Sequence, residues 1–179
     1  MRHGTCFRRR LSAHHAGAAP HSAVAELGVV RRFLVSPVNE AEQARIKEAW
    51  LTLPASLRSD PASEAELTAF EERYGSIPPD FRWFLAVCGG GPVGSEWVDD
   101  ISKLPRTHDN FRKQCSPQNG WTMRDVFLIG WDGAGNPFGI HIPTGELRVE
   151  DHNFGGVHRM AESFARFLLD ASTNATGNA

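Results

Sequence analysis

From Asn39 onward, apolar positions recur with a helical period. Ile46, Ala49, Trp50 and Leu53 fall at i, i+3, i+4 and i+7, one face of a helix. Asn39 followed three residues later by Glu42 is a capping box, and Pro54 ends the helix. Leu57 to Ala62 reads as a linker with an Asp-Pro turn. Ser63 and Glu66 then repeat the capping box. Leu67, Phe70 and Tyr74 form the buried stripe of a second helix, with Glu71, Glu72 and Arg73 on its wet side. Gly75 sits where a left-handed C-cap is wanted. Pro78 and Pro79 cannot continue that helix but can open a third, over about Asp80 to Cys88, which buries Phe81, Phe84, Leu85 and Cys88. The Gly89-Gly90-Gly91-Pro92 run breaks it. Residues 92–125 are less regular: Glu96, Trp97, Val98 and Ile101 fit a short strand or a helical turn. Ser102 to Asp109 and Phe111 to Trp121 fit loop and short helix.

The period then changes to two. Val126 to Ile129 is apolar on both faces, as a central strand would be. Trp131 to Asn136 is turn chemistry, Pro137 to Ile142 alternates, Pro143 to Glu146 is a second turn, and Leu147 to Glu150 alternates again. Three antiparallel strands are predicted. A last helix, over about Arg159 to Asp170, would bury Met160, Phe164, Phe167 and Leu168. The fold class is therefore α+β: an antiparallel sheet with a meander at its centre, packed with N-terminal helices and a C-terminal helix. The expected domain covers residues 38–172, and 173–179 form a polar end expected to fray.

Composition changes this picture in two places. The chain has 179 residues, 41% hydrophobic and 22% charged, which suits one globular domain. No apolar run approaches the roughly 20 residues of a membrane helix, so no membrane association is expected. The net charge of −2 conceals an asymmetry. Residues 1–35 carry six arginines against one acid, Glu26, a net of +5, and the remaining 13 basic and 20 acidic residues give −7. Residues 1–37 read as a basic disordered tail; a true start at Val29 or Val30 would remove nearly all of it. Its four histidines (His3, His14, His15, His21) lack metal-ligand spacing. The acidic remainder disfavours direct nucleic-acid binding and suits a basic protein partner, with plain solubility as the competing account. Cys6, Cys88 and Cys115 are odd in number and widely spaced, which reads as reduced cysteine in the cytoplasm rather than a disulfide or zinc framework.

Three blocks, in order, resemble the SUKH superfamily: the helical stretch Ser63–Cys88, the strands of Val126–His152, and Gly155–Leu169 with Ala161, Ser163, Phe164, Phe167 and Leu168. Together they span about residues 40–170. The superfamily includes a yeast regulator of cell-wall synthesis, and most bacterial members are immunity proteins that neutralise toxins of polymorphic and contact-dependent systems. The resemblance implies a cytoplasmic, non-catalytic protein that binds a cognate toxin, often a nuclease domain. A regulatory or scaffold protein is the alternative, and oligomeric state stays open. Residues 92–120 and the first 35 fall outside the match.

Candidate chemistry is sparse. Gly133-Ala134-Gly135-Asn136 lacks the spacing of a phosphate loop and is followed by Pro137, so a hairpin turn explains it better. Asp132, His141, Asp151 and His152 would make a hydrolase only if they converged on one substrate, and neighbours on a strand point apart. No nucleophile, zinc or Walker pattern occurs, and no cofactor is expected. Aromatic and acidic residues are better read as a binding surface. Trp131 and Phe138 bracket the first turn, with Trp131 read as core ahead of an interface role. One of Trp97 and Trp121 is expected to face the partner. Glu96, Asp99, Asp100, Glu150 and Asp151 would form an acidic face, with Asp99-Asp100 exposed. Asp132, Asn136 and His152 complete the candidate set.

Overall fold

The computed structural model describes residues 38–176. The basic tail expected over 1–37, with Cys6 and its four histidines, lies outside them. Helix α1 (Glu40–Thr52) starts at Asn39, whose side chain accepts from the Glu42 N–H while Glu42 accepts from the Asn39 N–H. Helix α2 (Glu64–Tyr74) starts with the same reciprocal pair between Ser63 and Glu66. Both capping boxes form as their sequences require. Between them, Ala55–Leu57 makes one 3₁₀ turn, and the linker expected over Leu57 to Ala62 is irregular from Arg58 onward. Helix α3 (Pro79–Cys88) begins with proline in its first turn and buries Phe81, Phe84, Leu85 and Cys88. Arg82 ties α3 to α2 through Glu64 and Glu71.

The irregular stretch proves ordered. Strands β1 (Gly91–Val93) and β2 (Glu96–Val98) form an antiparallel hairpin. Helix α4 (Leu104–Gln114) replaces the loop and short helix expected there. It buries Leu104, Thr107 and His108, two of them polar, so apolar periodicity alone does not reveal it.

Strands β3 (Val126–Trp131), β4 (Pro137–His141), β5 (Leu147–Glu150) and β6 (Val157–Ala161) form a four-stranded antiparallel meander in chain order. The sheet has one strand more than the sequence pattern predicts. Met160 belongs to β6 and not to the last helix, α5 (Phe164–Thr176). Met160 packs against the core from the end of β6, a strand whose first three residues are exposed, so its spacing to Phe164 and Phe167 is not that of one helix. At the other end, α5 continues past Ser172. The Ser172 and Thr173 hydroxyls bond back to the Leu169 and Asp170 carbonyls inside the helix.

Strand β3 is the end strand of the sheet, not the central one. Its apolar character has another cause: α4 and β2 pack against it. A bulge makes this possible. Leu128 pairs with Gly139 and Gly130 with Phe138, leaving Ile129 as the extra residue. The freed Ile129 carbonyl accepts the Asp99 N–H at 2.8 Å, which docks the β1–β2 hairpin on the sheet edge. Gly130 allows the close approach, since a Cβ there would lie 2.6 Å from the Trp97 carbonyl. The core lies between the sheet and helices α1, α3 and α5. Phe164 meets Phe81 and Phe84 edge-on at 5.3 and 5.5 Å, and Trp50 meets Phe84 at 5.0 Å.

Candidate functional site

Three of the five acids expected on an exposed face are buried: Asp99, Asp100 and Glu150. Each is drawn inward by donors that need a carboxylate. Asp99 accepts the Thr107 hydroxyl at 2.5 Å, and burial pushes its pKa up. For Asp100, burial works in the same direction. It is outweighed by bonds from Lys103, Ser102 and Ser59, which bring the carboxyl down to about 2. Glu150 accepts the Thr122 N–H at 2.6 Å and the Met123 N–H at 2.7 Å, anchoring the segment before β3. The exposed Asp99-Asp100 pair of the sequence reading is thus corrected. Glu96 is half-buried, with Oε1 taking the Ser95 hydroxyl at 2.8 Å and Oε2 shielded without a partner among the described residues. Asp151 accepts the Phe154 and Asn153 N–H groups, which hold its carboxyl below the usual range.

The glycine turn is a hairpin. The Asp132 N–H donates to the Asn136 carbonyl at 2.9 Å, and Asp132 Oδ1 accepts from the Ala134 and Asn136 N–H groups. Asn136 is buried and works as a latch. Its Nδ2 donates to Asp132 Oδ2 at 2.9 Å, while its Oδ1 accepts the His152 N–H at 2.8 Å. This fixes the turn after β3 against the turn after β5. The His152 ring stacks on Trp121 at 4.9 Å, and His141 Nδ1 lies 2.8 Å from the Thr144 hydroxyl. Each polar side chain of the Asp/His set therefore has a local structural partner.

The tryptophans separate. Phe138 is fully buried in the core, whereas Trp131, expected inside, is only half-buried at the end of β3. Its indole N–H is shielded from water and has no acceptor among the described residues. Trp97 is 40% exposed, which makes it the more accessible of the two tryptophans proposed to face a partner. Trp97 and Trp131 line one groove of about 460 Å³ with the adjacent face of α4. That face carries Lys103, Arg106, Asn110 and Gln114, with the Asp99–Thr107 pair between them. Lys103 Nζ bonds Asp100 Oδ2 at 2.6 Å and lies 5.5 Å from the centre of the Trp97 ring. The groove is thus aromatic on the strand side and rich in donors on the helix side.

Sequence reasoning missed the α4 residues of this groove, and it missed His108. That ring is buried beneath α4 against Phe70, Tyr74 and Phe127, and its Nε2–H donates to the Leu128 carbonyl at 3.0 Å. Burial lowers its pKa to about 4, so it is neutral at pH 7. Cys88 and Cys115 are also buried, which pushes their thiols up to about 12 and about 11. Among the described residues, no group of three or more His, Cys, Asp or Glu side chains is placed to hold a metal ion. None of the helices there is long and apolar enough to cross a membrane.

A helix-flanked antiparallel meander with an aromatic groove at its hairpin-covered edge defines an α+β domain. The family model SMI1 / KNR4 (SUKH-1) matches residues 61–170, and the chain belongs to that family. The match takes in α2 through most of α5, including the whole groove. No curated protein matches the chain.

Proposed function

We propose that this chain is an immunity-type protein, which binds a cognate toxin domain in the cytoplasm and neutralises it without catalysis. The carrying observation is the groove between Trp97 and α4 in a chain of the SMI1 / KNR4 family. An aromatic side chain at a surface groove gives large contact area at low entropic cost, the usual anchor of a protein interface. Beside it stand Arg106, Asn110 and Gln114, whose side chains are not committed to hydrogen bonds among the described residues. Of the residues first assigned to the binding surface, Trp97 and Trp131 fit this role directly. Asp132, Asn136, Trp121, Glu150, Asp151 and His152 support it by fixing the loops around the sheet ends. A nuclease domain remains the expected toxin class.

The test is co-purification with the product of the neighbouring gene, together with growth rescue of cells expressing that product. Capture and rescue are expected. If the chain does neither, the immunity reading is wrong and a regulatory role within the same family takes its place.

A further inference from the structure

If the groove is the partner contact, its chemistry specifies what it takes: we infer that it receives a carboxylate-bearing segment of a partner protein, seated between Trp97 and the donor face of α4. Lys103, Arg106, Asn110 and Gln114 follow at steps of three, four and four residues, so they share one face of the helix. Arg106 is exposed and has no ion-pair partner among the described residues. The side-chain amides of Asn110 and Gln114 have no hydrogen-bond partner there either. Arginine and lysine can only donate, and arginine's planar fork matches a carboxylate in two parallel bonds.

The acids near this face are already neutralised or satisfied. Asp100 is bonded to Lys103 at 2.6 Å, and Asp99 is buried with the Thr107 hydroxyl upon it. The groove therefore offers a local cation and several donors on a protein whose residues 36–179 carry a net −7. That wider charge separates the two anions that could fit. A nucleic-acid backbone would meet repulsion along its length, whereas a single side-chain carboxylate meets only the local field.

The experiment is a titration of the full ¹⁵N-labelled chain, followed through the Trp97 indole and the Asn110 and Gln114 side-chain amide signals. The probes are acetyl-Gly-Asp-Glu-Gly-amide, acetyl-Gly-Lys-Lys-Gly-amide and an oligothymidylate. The acidic peptide is expected to shift these signals saturably, with a Kd on the order of millimolar. Arg106→Glu should weaken it by about threefold or more while the other signals stay in place, and Arg106→Lys, which keeps the charge but loses the fork, should bind between the two. Equal shifts from the lysine peptide, tighter binding of the oligothymidylate, or unchanged affinity in Arg106→Glu would each overturn the inference. No toxin is present in this assay. A chain that takes the acidic peptide but ignores the neighbouring gene's product keeps this inference and loses the immunity reading.

Discussion

Glu150 turns a carboxylate to structural use: it is only 3% exposed and its two oxygens take backbone N–H groups from Thr122 and Met123. Removing it strands those donors, each of which costs about 1–3 kcal/mol when buried and unmet. Glu150→Ala is therefore expected to lose about 3 kcal/mol in urea unfolding, and a loss under about 1 kcal/mol would show that water replaces the carboxylate. His108 gives a pH dependence with a definite sign. Its folded pKa, about 4, lies below histidine's ordinary 6.5, so the unfolded chain binds more protons between the two. Stability should fall as pH drops through that window, by an amount on the order of 3 kcal/mol in full. In His108→Gln, which keeps a donor for the Leu128 carbonyl, the slope between pH 6.5 and 4 should flatten. Asp100 adds a separate loss below it, as pH falls from 3.8 toward about 2. None of these roles was legible in the sequence. Glu150 finds its partners 27 and 28 residues away, and Asp100 joins local donors on Ser102 and Lys103 to Ser59, 41 residues away; an acid looks the same in sequence whether its donors are protein or water.

Helices α1, α2 and α3 were legible because their signals are local: a cap, a stripe and a breaker within one segment. Their caps are correspondingly testable. Ser63→Ala should cost about 1 kcal/mol, measured by thermal unfolding, with no change in the groove. Helix α4 and strand β6 were not legible, for opposite reasons. The first buries Thr107 and His108 where apolar residues were sought, and the second exposes a strand that has no apolar face. The docking of the β1–β2 hairpin depends on a bulge, which no periodicity encodes. Gly130 makes it possible, so Gly130→Ala should push the Trp97 backbone away from β3. A loss of about 2 kcal/mol, with a shift in tryptophan fluorescence, is expected. An unchanged spectrum would mean that the strand, not the hairpin, yields.

Across the whole molecule, the meander read from Val126 to Glu150 carried the fold class, and the match over residues 61–170 places the chain in the SMI1 / KNR4 family. Charge distribution changed more than architecture did. The acids expected on one exposed face are largely spent inside the fold, and the groove instead presents tryptophan and one arginine, Arg106, unpaired among the described residues. The sequence pattern puts forward Trp97 and Trp121 together, since both lie in stretches without clear periodicity, and only burial separates the exposed Trp97 from Trp121. Arg106, Asn110 and Gln114 could not be singled out, because only the helix brings them to one face. The direct measurement is calorimetric titration of the full chain with the product of the neighbouring gene, for wild type and for Trp97→Ala. Binding by wild type and a loss of about tenfold or more in the variant, with unchanged unfolding, is expected. No binding by wild type, or equal affinity in the two, would contradict a toxin-binding groove at Trp97.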